Sequence, residues 1–315
     1  MNNRRSFIIG IKSTSLSSKE KIFIKDYKPW GIILFSRNIK SIIQTKKLTN
    51  EIRKIFKDKN YPILIDQEGG RVNRLKNFFN TDSLTGEYFG KLYTEDKKKF
   101  DNYYKIFIIK TSNLLKLAGI NVNTVPVLDL RMKGSSNVIG DRSYSSNTKL
   151  TSRIGDFCIT KFHKNNIGTI IKHIPGHGLA KTDSHKSTPV VKAKYNYLIK
   201  NDFAAFKNKK SLLAMTAHII YEDVDVLNTA THSKKIIHLI RNIIKFNNIL
   251  MSDDISMKSL KYSIKENTIK AFNAGCNLVL HCNGNYKEML IVAKNSPLIS
   301  KFIIKKTSQF YKILS

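Results

Sequence analysis

The sequence predicts an α/β fold, a (β/α)8 barrel forming one catalytic domain over residues 1–315. Two observations predict it. Eight short apolar runs recur along the chain, with longer amphipathic stretches between them. The runs are rich in Ile, Leu and Val and alternate little, as in strands buried on both faces of a parallel sheet. A third observation weighs against the rival, a doubly wound open sheet. Neither GxGxxG nor GxxxxGK[ST] follows the first run, so the nucleotide-binding folds lose their main support.

The strand-like runs span residues 7–11, 31–35, 62–65, 122–127, 169–171, 212–215, 249–251 and 277–280. Helical spacing lies between them. Over 41–57, Leu48, Ile52, Ile55 and Phe56 share one face. A longer pattern over 98–118 stops at Gly119, a natural residue for a left-handed helix end. Leu150, Ile154, Phe157 and Cys158 mark a helix before the fifth strand, and Ile236, Ile237, Ile240, Ile243 and Ile244 one before the seventh. Helices over 258–272 and 299–314 complete the pattern. Three long stretches, 66–96, 128–146 and 172–195, follow predicted strands. In a barrel all three fall at the C-terminal face, where sites are built.

At 315 residues and 41% apolar content the chain can bury a sizeable core. Its formal net charge is +32. The charge is mostly Lys, scattered rather than gathered in one block, and no helix-turn-helix or aromatic-studded basic motif joins it. Specific nucleic-acid binding is therefore not expected. A basic surface would still attract an anionic small substrate. Cys158, Cys276 and Cys282 form an odd, sparse set without CxxC, which points to a reducing compartment and no disulfide framework. Residues 7–11 are too short and too interrupted for a signal peptide, and no run reaches membrane-spanning length. The expectation is a cytoplasmic protein without membrane insertion.

Three of the eight histidines lie in one stretch, Lys172-His173-Ile174-Pro175-Gly176-His177-Gly178-Leu179-Ala180-Lys181-Thr182-Asp183-Ser184-His185. Pro175, Gly176 and Gly178 forbid a regular helix, so the histidines sit on a loop. His173, His177, Asp183 and His185 are plausible metal ligands. The alternative is a dyad in which Asp183 orients His185 for proton transfer. The third strand runs into Asp66-Gln67-Glu68-Gly69-Gly70-Arg71-Val72-Asn73-Arg74. Asp66 could accept from sugar hydroxyls and Arg74 could pair with a carboxylate or an amide oxygen. An Asp–Arg pair bracing a turn is the equal alternative. Arg142, in the Gly-flanked loop after the fourth strand, is either an anion clamp or a surface turn charge. After the seventh strand, Asp253 fits a nucleophile or metal ligand at the barrel mouth, and Asp254 or Ser256 fits the cap of the next helix. His218 is open between core and site.

Together these motifs resemble a known family. Asp66-Gln67-Glu68-Gly69-Gly70-Arg71-Val72 resembles a DQEGGRV signature, Lys172 to Gly178 with Asp183-Ser184-His185 a KH(F)PGHG…DSH loop, and Ser252-Asp253-Asp254-Ile255-Ser256-Met257 an SDDLSM motif. Residues 31–38, Pro126-Val127-Leu128-Asp129 and Ala274-Gly275-Cys276 fall in the expected order. The likeness is to the single-domain bacterial β-N-acetylglucosaminidases of glycoside hydrolase family 3, the NagZ type. It covers about residues 7–285.

The resemblance implies a retaining double displacement. Asp253 matches the nucleophile and His185 the acid/base, with Asp183 beside it. Asp66, Arg74, Arg142, Lys172 and His173 match residues that hold the terminal N-acetylglucosamine. The implied substrates are GlcNAc-β-1,4-anhydroMurNAc and its peptides, in cytoplasmic peptidoglycan recycling, handled by a monomer with no cofactor or metal. Two positions depart from the family. Thr216 stands where Pro is usual in a PAH segment, and Asn277 replaces a frequent Asp. Both are expected near strand ends, where they would alter loop shape or substrate detail. Phosphorolysis on the same site, a metal-dependent hydrolase on the His/Asp loop, and nucleic-acid binding are the competing functions. His177 is read as a loop-shaping residue.

Overall fold

The computed structural model describes residues 1, 3–134, 136–184 and 187–315. In chain order its strands are β1 (Arg5–Gly10), β2 (Pro29–Leu34), β3 (Ile63–Ile65), β4 (Val122–Asn123), β5 (Gly168–Ile174), β6 (Val190–Val191), β7 (Leu213–Thr216), β8 (Ile220–Tyr221), β9 (Ile249–Asp254) and β10 (Leu278–His281). The helices are α1 (Ser18–Tyr27), α2 (Ile42–Phe56), α3 (Gly86–Glu95), α4 (Lys97–Ala118), α5 (Thr148–Lys164), α6 (Tyr195–Lys200), α7 (Lys234–Asn242), α8 (Ile264–Ala274), α9 (Tyr286–Asn295) and α10 (Lys301–Ile313).

Eight of the strands close a barrel in the order β1-β10-β9-β7-β5-β4-β3-β2, with every pairing parallel. Each falls on one of the eight apolar runs. Their lack of alternation has a direct cause. On β1, Ile8 joins the barrel interior with Ile33, Leu64 and Met251, while Phe7 and Ile9 join the layer beneath the helices. Both faces of the strand are buried, so both must be apolar. The interior cluster continues into α10, where Phe310 and Ile303 pack with Trp30. Trp30 Nε1 donates to Thr307 Oγ1 at 2.9 Å, fixing α10 across the N-terminal end of the barrel.

Capping chemistry sets the helix limits. Ser41 accepts from the Gln44 amide to start α2. Gly119, at φ 75°, ends α4, and a side chain there would strike Thr49 Oγ1. The helix expected over 258–272 begins only at Ile264, because Ser263 and Glu266 form a capping box. Neither Asp254 nor Ser256 caps it. Asp254 instead accepts from Ser256 and from the Cys282 amide.

The fourth strand is much shorter than the predicted 122–127. Pro126 has no N–H to give to a ladder. The Asn123 side chain takes over by accepting from the Gln67 amide and donating to the Gln67 carbonyl. Val127 rejoins Lys172 by an isolated bridge. A second sheet pairs β6 with β8, tying the segment after β5 to the one after β7. Among the described residues no helix is long and apolar enough to cross a membrane.

Candidate active site

All the strands run the same way, so their C-terminal ends share one mouth. A cavity opens there. Asp66 follows β3, Lys172 and His173 lie near the end of β5, and Asp253 near the end of β9. Asp66, Arg74, Arg142, Lys172, His173 and Asp253 all line this cavity. Six of the eight residues singled out from the sequence thus converge, although over 180 positions separate the first from the last. Asp183 is half-buried on the segment after β5. His185 lies outside the described residues.

The cradle is built on Lys172. Its buried ammonium donates to Thr124 Oγ1 at 2.8 Å and to Asp66 Oδ1 at 3.1 Å, and lies 2.6 Å from Glu68 Oε1. Asp66 also accepts from Thr124 and faces Arg74 at 3.5 Å. Glu68 takes a bidentate grip from Arg142, with both contacts at 2.8 Å. Arg142 is therefore a part-buried partner of Glu68, not a surface turn charge. Burial alone would raise both carboxyls. The charges of Lys172 and Arg74 overcome this and hold Asp66 well below the usual carboxylate range. Arg142 and Lys172 likewise hold Glu68 at about 2.

Asp129 organises the loop after β5. It is fully buried and accepts from the amides of His173 and His177 and from His173 Nδ1 at 2.6 Å. Burial pushes it up, but the His173 imidazole prevails and lowers it. An acid directly after the apolar Pro126-Val127-Leu128 run was the available signal for this role. His177 Nε2 meets Ser184 Oγ at 3.3 Å, its Nδ1 has no hydrogen-bond partner among the described residues, and burial lowers it to about 4. Its backbone amide donates to Asp129, which makes it part of the loop's scaffold. Among the described residues no three of His, Cys, Asp and Glu gather as metal ligands.

Asp253 differs from the other acids in the cavity. It makes no ion pair among the described residues, and its Oδ1 accepts from the Asp254 amide at 2.7 Å. Burial opposes its charge, while His218, His173, that amide and Lys172 favour it, and the net effect is lowering. A carboxylate held ionised yet unpaired beside a cationic cradle is equipped to attack an electrophilic carbon.

Comparison with known proteins places the chain in a family. The family profile described as "Glycosyl hydrolase family 3 N terminal domain" matches residues 8–308. The chain belongs to this family. Among its curated relatives, the "Beta-hexosaminidase" of Actinobacillus pleuropneumoniae serotype 5b is 32% identical over 282 residues, covering 88% of this chain and 80% of the relative. The solved NagZ of Neisseria gonorrhoeae in complex with zinc ion superposes with a TM-score of 0.86 at 27% identity, covering 98% of this chain and 90% of that one. A family 3 β-N-acetylglucosaminidase from Paenibacillus sp. str. FPU-7 gives a TM-score of 0.85 at 25% identity, and this chain spans only 60% of its length. The chain is thus a family 3 glycoside hydrolase of the β-hexosaminidase kind.

The two departures from the family occupy different ends of the barrel. Asn277 precedes β10 at the N-terminal end, where it accepts from Arg241 at 2.9 Å and from the Leu250 amide at 2.9 Å. It lies away from the mouth and therefore cannot shape the substrate site as expected. Thr216 ends β7, at the mouth.

Proposed function

We propose that the protein is an exo-acting, retaining β-N-acetylglucosaminidase. It would release terminal GlcNAc from GlcNAc-β-1,4-anhydroMurNAc and its peptides, in cytoplasmic peptidoglycan recycling. The barrel is taken as the whole catalytic unit, acting as a monomer on small glycosides. The observation that carries the reading is Asp253, the one cavity carboxylate not consumed by a cation among the described residues.

In this mechanism the Asp253 carboxylate attacks the anomeric carbon from one face of the ring. The glycosidic C–O bond breaks, and His185 gives the departing oxygen its proton while Asp183 orients the imidazole. The sugar then rests on Asp253 as an ester. A water loses its proton to His185, attacks the same carbon, and frees the carboxylate. Asp66 accepts from sugar hydroxyls. Arg74, Arg142, Lys172 and His173 hold the ring and its acetamido group, with Lys172 and Arg142 pre-aimed by Glu68. His173 is set by Asp129. Three free cysteines fit a reducing compartment.

The test is hydrolysis of an aryl β-N-acetylglucosaminide by wild type and Asp253→Ala. The variant is expected to lose at least about a thousandfold in kcat. A fluorinated substrate should trap a covalent adduct on Asp253 in the wild type, located by peptide mass spectrometry. Normal turnover in Asp253→Ala, or an adduct elsewhere, would reject the assignment. Product analysis with and without inorganic phosphate separates hydrolysis from phosphorolysis.

A further inference from the structure

Behind Asp253 lies a chain of hydrogen bonds that begins, buried, at Thr216. The Asp254 amide donates to Asp253 Oδ1 at 2.7 Å. The Asp254 carbonyl in turn meets His218 Nε2 at 3.0 Å. A carbonyl only accepts, so Nε2 must carry the hydrogen. On the other side of the ring, His218 Nδ1 lies 2.7 Å from Thr231 Oγ1. Thr231 Oγ1 lies 2.7 Å from Thr216 Oγ1. Thr216, His218 and Thr231 are buried to within 1% of complete, so bulk water offers them no replacement partners.

With His218 neutral, counting hydrogens gives the direction of the chain. A neutral His218 with hydrogen on Nε2 needs a donor at Nδ1, and Thr231 is the donor in place. Thr231 has one hydroxyl hydrogen and a competing acceptor, the Ala217 carbonyl at 3.2 Å. A donor to its own oxygen polarises that hydroxyl towards Nδ1. Thr216 supplies it. Proline, usual at this position in the family, has no hydroxyl and could not. Burial favours the neutral imidazole and lowers His218, in keeping with this tautomer.

We infer that Thr216 and Thr231 are positioning residues. Their hydroxyls hold His218 as the Nε2–H tautomer, His218 holds the Asp254 carbonyl, and Asp254, anchored in this way, presents its own amide to the Asp253 carboxylate. The inference rests on the reading of Asp253 as nucleophile. Removing the first hydroxyl frees Thr231 to turn to Ala217, and the ring loses what fixes it. The Asp254 carbonyl then competes for a partner it had been guaranteed, and the attacking oxygen wanders.

Thr216→Val, Thr216→Ser, Thr231→Val and Thr231→Ser test this on the aryl glycoside. Each Val variant is expected to lower kcat about threefold to tenfold, the worth of one hydrogen bond, with KM changed less than about twofold. Each Ser variant should keep kcat within about twofold of wild type. Equal losses in Ser and Val, or no loss in Val, would overturn the inference. Should a Val variant fail to fold, nitrogen NMR of the histidine-labelled wild type decides alone, with His218 assigned by His218→Gln. A bare Nδ1 and a protonated Nε2 at neutral pH are expected, and the opposite tautomer or an imidazolium refutes the chain. The NMR result does not depend on the role of Asp253, whereas failed trapping on Asp253 would remove the proposed function and leave the tautomer standing.

Discussion

Lys172 sits at the centre of the charged cluster in the cavity. Its ammonium is buried between two carboxylates and a hydroxyl. Lys172→Met keeps the stem but leaves Asp66 and Glu68 with one cation each. Breaking a buried charge cluster in this way costs about 3–5 kcal/mol, so Lys172→Met is expected to lose stability on that scale in chemical denaturation. The loss has a pH signature. Asp66 and Glu68 have folded-state values below those of the unfolded chain. Their stabilisation is complete above the ordinary carboxylate range and fades as pH falls, for Glu68 towards about 2. Without Lys172 both values rise, so acid unfolding of the variant should begin at higher pH than in wild type. An unchanged acid midpoint would show that Arg74 and Arg142 suffice. Lys172 stood out in the sequence by its place beside the histidine loop. Glu68 and Thr124 did not disclose their roles, because each acts through partners 48 or more residues away.

At the level of elements, the segment after β5 rests on two buried acids. Asp129 is one. The other is Asp202, which follows α6 and sits beneath Gly176 and Gly178, where an added side-chain carbon would come within 2.8 Å of its carboxyl. Neither Asp202 oxygen has a well-aligned partner among the described residues, though the amides of Leu130, Gly178 and Leu179 lean towards it. Burial first and the Asp129 charge second push Asp202 up to about 8. The folded protein therefore holds this proton more tightly than the unfolded chain does. Its contribution is complete below the ordinary carboxylate range and is lost as pH rises through about 8. Asp202→Asn should flatten the decline in Tm between the ordinary carboxylate range and about pH 8, and a decline as steep as in wild type would reject the account. Nothing local in the sequence marks Asp202, since Asn201-Asp202 looks like any turn. The strands were legible because two buried faces impose a continuous apolar run. Helix α3 was not, and its glycines explain why. Gly86 and Gly90 let the helix meet the Arg142 and Tyr144 backbone, where a side-chain carbon would come within 2.2 Å and 1.6 Å of carbonyl oxygens. Tertiary packing there overrides helix propensity, and the pattern of the helix is masked.

On the scale of the whole molecule, the charge is the property the site does not explain. The sequence holds 55 Lys and Arg against 23 Asp and Glu. The cavity itself is nearly balanced, since Asp66, Glu68 and Asp253 face Lys172, Arg74 and Arg142. The excess positive charge must therefore lie largely outside it. A field of that kind acts at long range on rates of encounter and leaves close contacts almost untouched. The proposed substrates carry carboxylates on the part of the molecule that leaves, whereas a nitrophenyl glycoside is neutral. The two should respond differently to salt. Screening shortens from about 30 Å at 0.01 M to about 3 Å at 1 M ionic strength. Over that range kcat/KM for the anionic glycoside is expected to fall about tenfold or more, while that for the neutral glycoside stays within about twofold. The comparison uses one enzyme and one cleaved bond type, so general salt effects on the fold or on Asp253 cancel between the two substrates. Parallel salt profiles would assign the net charge no part in substrate capture. A divergence that disappears when the carboxylates are amidated would tie it to them.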